Sequence, residues 1–211
     1  MGNAPYGIQM QKVLILHGWG GSDHPHWQSK LASEIAKDYG TVSFPLLDNC
    51  HFPSKNRWVK QVKKLLEEFK PDTVVCHSLA NTLWFWLCQE ATESLESEAS
   101  APNKTRLKPS TPEFIKAMNN IKRLFMVSPP SLSTTEQTIK TFFPCKIPTN
   151  CYAKNIELIV SDNEPWVKLD EAGSMAKSIG ANYRVIKDAG HINADSGYGK
   201  WKLIEDLVLK K

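Results

Sequence analysis

A chain of 211 residues, 41% apolar and 23% charged, is large enough to bury a core without metal or disulfide staples, which excludes disordered and fibrous classes. The net charge is only +4, and Lys and Arg alternate with Glu, as at Lys63, Lys64, Glu67 and Glu68. This is a solvated helix face and not the concentrated positive stripe of a nucleic-acid binder, so nucleic-acid partners are not expected.

In chain order, Lys12-Val13-Leu14-Ile15-Leu16 predicts a fully buried strand, ending at the glycine-bearing turn His17-Gly18-Trp19-Gly20-Gly21. Trp27, Leu31 and Ile35 then recur at helical spacing. Residues 41–44 read as a second strand, closed by Pro45. Trp58, Val62, Leu65, Leu66 and Phe69 make a second helix face, stopped before Pro71. Thr73-Val74-Val75-Cys76 is the third strand, followed by a helix over residues 79–91. Residues 92–112 are polar, rich in Ser, Glu, Lys, Pro and Asn, and read as an exposed loop inserted in a single domain spanning 1–211. Ser110 and Glu113 stand at capping-box spacing with Pro112 between them, which marks a helix start. Residues 124–127, 156–160 and 183–186 supply three more strands. Ala172, Met175, Ala176 and Ile179 form a helix stripe ending at Gly180, and Trp201, Ile204, Leu207 and Val208 form a terminal helix.

Strands and helices alternating six times, with strands apolar on both faces, predict an α/β fold: a three-layer α/β/α sandwich around a mainly parallel sheet of about six strands. In such sheets the chemistry sits beyond the carboxyl ends of the strands. Three of those ends carry a Ser, an Asp and a His in that order: Ser78 after the third strand, Asp162 after the fifth and His191 after the sixth. A serine at a strand-to-helix turn projects its hydroxyl above the sheet, and small residues are needed two before and two after it, where strand and helix backbones nearly touch. Serine hydrolysis also needs a base for the hydroxyl proton and a carboxylate to fix the tautomer of that base. Ser78, His191 and Asp162 are the candidates for these roles, with Asp188 as reserve carboxylate. Taken alone, Ser78 is equally a helix N-cap, Asp162 a turn-former and His191 a structural histidine. Trp19 and Trp166, at strand ends, are candidate pocket walls, Trp166 for substrate binding. His24, His26 and His51 lack ligand spacing, so no metal is assigned.

These features resemble the α/β-hydrolase superfamily, and more narrowly the small serine hydrolases of the YdeN and retinoblastoma-binding-protein-9 type. The matching residues are Leu16-His17-Gly18-Trp19, the pair His26-Trp27, the Trp58 helix, His77-Ser78-Leu79, the Asp162 turn with Pro165, and Gly190-His191. The resemblance implies a serine-dependent hydrolase without a cofactor, with an oxyanion hole at the Trp19 and Leu79 amides. One departure stands out: the family's Gly-x-Ser-x-Gly elbow here carries Cys76 and Ala80 at its flanks. Crowding by Cys76 is expected to strain or open the turn.

The sequence therefore predicts a hydrolase of ester or related acyl bonds in a small-molecule substrate. A peptidase would use the same three residues. The rival from another class is a hydrolase-fold protein-binding module, weakly active or inactive, with a protein partner. No apolar run reaches the roughly 20 residues of a membrane span. The N-terminus has no basic region leading into an apolar stretch, and five cysteines without a CxxC pair fit a reducing cytoplasm.

Overall fold

A computed structural model describes residues 11–37, 40–100 and 111–209. Residues 1–10, most of the N-terminal stretch in which no secretory signal is expected, and the expected cap Ser110 lie outside the described residues. In chain order the elements are β1 (Lys12–Leu16), α1 (Trp27–Lys37), β2 (Thr41–Ser43), α2 (Lys55–Phe69), β3 (Thr73–His77), α3 (Leu79–Ser100), α4 (Pro112–Asn119), β4 (Arg123–Val127), β5 (Asn155–Ser161), α5 (Leu169–Ser178), β6 (Asn182–Ile186) and α6 (Lys202–Leu209). A 3-10 turn, Gln137–Phe142, interrupts the segment between β4 and β5.

The strands form one sheet in the order β2-β1-β3-β4-β5-β6, and every pairing is parallel. Alternate residues of the central strands face two separate cores, as a period of two requires. Val13, Ile15, Val75, Phe125 and Val127 pack under Trp27, Leu31 and Ile35 of α1 and Ile204 and Val208 of α6. Leu14, Leu16, Val74, Cys76, Leu124 and Met126 face the opposite layer, built by α2, α3, α4 and α5. β3, buried along all five residues, is the axis of the sheet.

Three local readings need correction. Residues 92–100 are not loop: α3 runs on to Ser100. The Thr92 hydroxyl donates to the Cys88 carbonyl and the Ser94 hydroxyl to the Glu90 carbonyl, so these residues turn their polarity back onto the helix. The cap of α4 is Thr111, whose hydroxyl accepts the Phe114 N–H at 3.2 Å, one residue later than expected. β6, expected to be buried on both faces, is instead the edge strand and largely exposed.

The chain reverses its direction of growth at β1, first adding β2 on one side and then β3 on the other. The loops leaving β1 and β3 therefore diverge at the carboxyl edge and leave a crevice between them. The loops after β5 and β6 end at the same edge. That is where Gly18, Ser78, Glu164 and His191 meet.

Candidate active site

Ser78 links β3 directly to α3 and has φ = +54°, a left-handed conformation that non-glycine residues rarely adopt. Its strain is held by neighbours. The Ser78 N–H donates to the Val127 carbonyl at 3.0 Å, continuing the β3–β4 ladder past the strand. The fully buried Asn81 amide, one turn into α3, donates to the carbonyls of both Ser78 and Val127 at 2.9 Å. Asn81 is a clasp that the sequence reading missed; a polar residue three positions after Ser78, in the first turn of a buried helix, was the available signal.

The loop after β1 presses on this turn from above. A Cβ built on Gly18 would lie 2.6 Å from Ser78 Cβ, a distance that real carbon atoms do not tolerate, so only glycine fits. His17 fixes the same loop. Its Nδ1–H donates to the Gly18 carbonyl at 2.7 Å while Nε2 accepts the Leu47 N–H at 2.8 Å. Cys76 and Ala80, the flanking positions of the elbow, are both completely buried, and burial pushes the Cys76 thiol well above its ordinary pKa. Cys76 is thus a neutral core residue, and the turn forms around it.

The His191 ring completes a hydrogen-bonded chain. Its Nε2 lies 2.9 Å from Ser78 Oγ, and its Nδ1 lies 2.6 Å from Glu164 Oε1. A carboxylate can only accept, so the proton sits on Nδ1 and the lone pair of Nε2 faces the serine hydroxyl. The Glu164 side chain is 1% exposed, and Oε1 also accepts the Trp166 N–H at 3.3 Å.

The carboxylate expected here, Asp162, is elsewhere. Its Oδ1 accepts the Asp188 N–H at 2.7 Å at the exposed end of the turn. Asp162 is the first residue past β5, where a short side chain meets the neighbouring exit of β6. Glu164, two residues further on and one methylene longer, reaches over the sheet to His191. Asp188, the reserve, contributes its backbone to Asp162 with φ = +51°.

Residues 161–163 set the height of the histidine loop. Ser161 Oγ accepts the Ala189 N–H at 2.8 Å and Asn163 Oδ1 accepts the Gly190 N–H at 2.7 Å. At Gly190 (φ = +55°) a Cβ would sit 2.5 Å from Ser196 Oγ, the atom that accepts the His191 N–H at 3.1 Å. The glycine before His191 is therefore needed both for its conformation and for space. From below, the buried His77 ring donates from Nε2 to the His191 carbonyl at 3.0 Å.

Three further histidines surround the site and stay uncharged. Burial, followed by repulsion from His191 and His26, drives His77 well below its ordinary pKa. Burial, with smaller contributions from His191 and His17, brings His26 down to about 4. His17 is lowered by burial too. Among the described residues no cluster of His, Cys, Asp or Glu is arranged to hold a metal ion.

The expected pocket walls flank the chain of hydrogen bonds. The Trp166 ring lies 6.4 Å from both the His191 and the Trp19 rings, and Trp19 anchors its indole N–H on the His51 carbonyl at 3.0 Å. Both indoles are more than a third exposed. Beside them a cavity of about 280 Å³ is lined by Trp19, Ser22, His26, Ser78, His191 and Asn193 among others. The Leu79 amide opens α3 immediately after Ser78, and the Trp19 amide follows the glycine that touches it.

Known proteins share this arrangement of elements. The YdeN gene product of Bacillus subtilis superimposes with a TM-score of 0.71 at 18% identity, covering 95% of this chain and 97% of its own. A protein of Pectobacterium atrosepticum described as YdeN-like matches at 0.60 with 17% identity, over 95% and 89% of the two chains. Est1E of Butyrivibrio proteoclasticus, solved with ferulic acid bound, matches at 0.60 with 11% identity, over 94% and 86%. At such identities the likeness is one of fold, that of a compact α/β-hydrolase. No curated protein matches by sequence. The model of the family described as serine hydrolase matches residues 13–100 and 108–210, nearly the whole chain; this protein belongs to the serine hydrolase family.

Proposed function

We propose that the protein hydrolyses esters of small acyl groups through an acyl-enzyme formed on Ser78, with His191 as base and Glu164 in the carboxylate role that the sequence had assigned to Asp162. The observation that carries this reading is the unbroken sequence of contacts from Ser78 Oγ through His191 to the buried Glu164. In the first half-reaction Oγ attacks the acyl carbon as its proton passes to Nε2. The imidazolium so formed is stabilised by Glu164 through Nδ1–H. The Leu79 and Trp19 amides donate to the developing oxyanion, and His191 returns the proton to the leaving alcohol. Water then repeats the sequence on the acyl-enzyme, and Ser78 is released.

Three uncharged histidines around His191 favour this role, because they leave it the one ring of the group with a carboxylate partner. Cys76 seated in the core and Ser78 in the left-handed elbow conformation favour an active hydrolase over a binding module whose elbow is opened by that cysteine.

The cavity beside Ser78 and Trp19, about 280 Å³, is lined mostly by polar residues and glycines, which supports short acyl groups. A long chain would need apolar cover to gain its roughly 0.8 kcal/mol per methylene. Nitrophenyl esters of rising length test this. Acetate to butyrate should give the highest kcat/KM, with Ser78→Ala as blank, and a steady rise out to dodecanoate would contradict it.

We read the chain as a single domain of a cytoplasmic enzyme. All five cysteines are free, which fits a reducing compartment. No helix among the described residues is long and apolar enough to cross a membrane.

A further inference from the structure

Two residues that line the cavity beside Ser78 carry polar atoms that the hydrolytic chemistry does not use. His26 is 5% exposed, and its Nδ1 accepts the Gln28 backbone N–H at 3.2 Å. An amide N–H can only donate, so Nδ1 carries the lone pair and the proton of the uncharged ring is on Nε2. That Nε2–H is buried and has no hydrogen-bond partner. The Ser22 hydroxyl, in the loop between β1 and α1, is likewise buried and unpartnered. Both residues line the same cavity as Ser78 and His191.

Two orphaned buried donors on residues that line one cavity cost stability, since an unsatisfied buried polar group loses about 1–3 kcal/mol of hydration. Such a cost is often kept at a place that recognises a ligand. The His26 ring has no freedom to escape it: it packs against the rings of Trp27 and His77, with centroids 5.5 and 4.9 Å away. Its tautomer is set by the backbone of α1. A fixed donor of this kind discriminates by polarity, because a methylene placed against it leaves it unpaired whereas an oxygen satisfies it.

We infer that His26 Nε2–H and the Ser22 hydroxyl form a specificity subsite that holds an oxygen acceptor of the substrate beside the scissile ester. The preferred substrates are thus oxygenated short esters (ether, hydroxy or carbonyl compounds) and not simple alkyl ones. The inference rests on the esterase reading above and narrows its substrate class. The acceptor can belong to the acyl group or to the alcohol, and the two are separable.

The test compares isosteric pairs in which one oxygen replaces one methylene. On the acyl side the pair is nitrophenyl 3-methoxypropanoate and nitrophenyl pentanoate. On the alcohol side it is 2-methoxyethyl acetate and butyl acetate. Each kcat/KM is divided by the rate of hydroxide hydrolysis of the same ester to remove inductive effects. The wild-type protein should prefer the ether by about tenfold in one arm, and that arm locates the subsite. His26→Phe keeps the ring stack and should bring the ratio to within about twofold of unity. Ser22→Ala should lower it part of the way, and it reads the same ratio if His26→Phe does not fold. Hydrolysis of all four esters with no oxygen preference overturns the subsite alone. A preference that survives both substitutions also overturns it, as the selecting group would then be another. Failure to hydrolyse any of the four, together with failure of a fluorophosphonate to label Ser78, overturns the esterase reading and the subsite with it.

Discussion

Glu164 Oε1 stands 2.6 Å from His191 Nδ1, while Asp162, two residues earlier on the same turn, spends its carboxylate on the Asp188 amide. The two acids therefore have different work, and substitution should separate them. Glu164→Gln keeps the shape but presents an amide to Nδ1, disturbing the tautomer that the serine requires. It should lower kcat on a short nitrophenyl ester by about 10³-fold or more. Asp162→Asn should lower it by less than about tenfold, since only the seating of the loop is affected. The reverse order would restore Asp162 to the carboxylate role.

The contact between Gly18 and Ser78 predicts a second sensitivity. A methyl group at position 18 would meet Ser78 Cβ at 2.6 Å, so Gly18→Ala must shift either the elbow or the loop after β1. Both shifts move reacting groups. We expect kcat/KM to drop at least tenfold, with a lower Tm, because a misplacement of about 1 Å can cost a hundredfold in rate. Unchanged kinetics would mean that the loop yields freely.

Asn81 predicts an effect on stability. Asn81→Ala removes the donor shared by the Ser78 and Val127 carbonyls and leaves the strained turn without its clasp. Urea unfolding should show a loss of about 2 kcal/mol. Asn81→Asp, an acceptor facing two carbonyls, should cost more. A loss below about 0.5 kcal/mol would contradict the clasp.

Much of this was legible in the sequence, and the failures have physical causes. Alternation of β-branched strands and striped helices located all six strands, and Ser78 was legible as the residue that joins β3 directly to a helix, His191 as a histidine after a glycine in the loop beyond β6. The carboxylate could not be fixed in the same way. It lies inside a turn, where Asp162 and Glu164 are both plausible and only the path of the backbone decides which one reaches the ring. Asn81 passed as one more polar residue of a helix because its partners, Ser78 and Val127, come from the elbow and from another strand. Residues 92–100 read as loop because Thr92 and Ser94 are poor helix formers until their hydroxyls bond back to the preceding turn. His26 is legible in the sequence as half of the His26-Trp27 pair and as a histidine without ligand spacing, but its burial and tautomer are properties of the folded chain.

The buried histidines predict the response to acid. The folded-state pKa of His26 is depressed from 6.5 to about 4, and that of His77 lies well below 6.5. The unfolded chain takes up these protons near pH 6.5 and the folded chain does not. Their stabilisation is therefore full above pH 6.5 and is lost as pH falls toward 4. Between pH 7 and 5 His26 should remove about 2 kcal/mol from the unfolding free energy, and His77 acts in the same direction. Urea midpoints at pH 7.5, 6 and 5 would show this, and His26→Phe should flatten the decline by one histidine's share. A stability independent of pH over that range would mean that the rings are not held neutral.

The central claim, that Ser78 is a nucleophile activated through His191 by Glu164, is tested most directly by fluorophosphonate labelling followed by mass spectrometry. The account predicts one adduct, on Ser78, formed rapidly by the wild-type protein and by Asp162→Asn. The same adduct should form at least a hundredfold more slowly in Glu164→Gln and His191→Ala, and be absent from Ser78→Ala. Labelling that persists in Ser78→Ala, or that slows for Asp162→Asn while Glu164→Gln reacts normally, would contradict it.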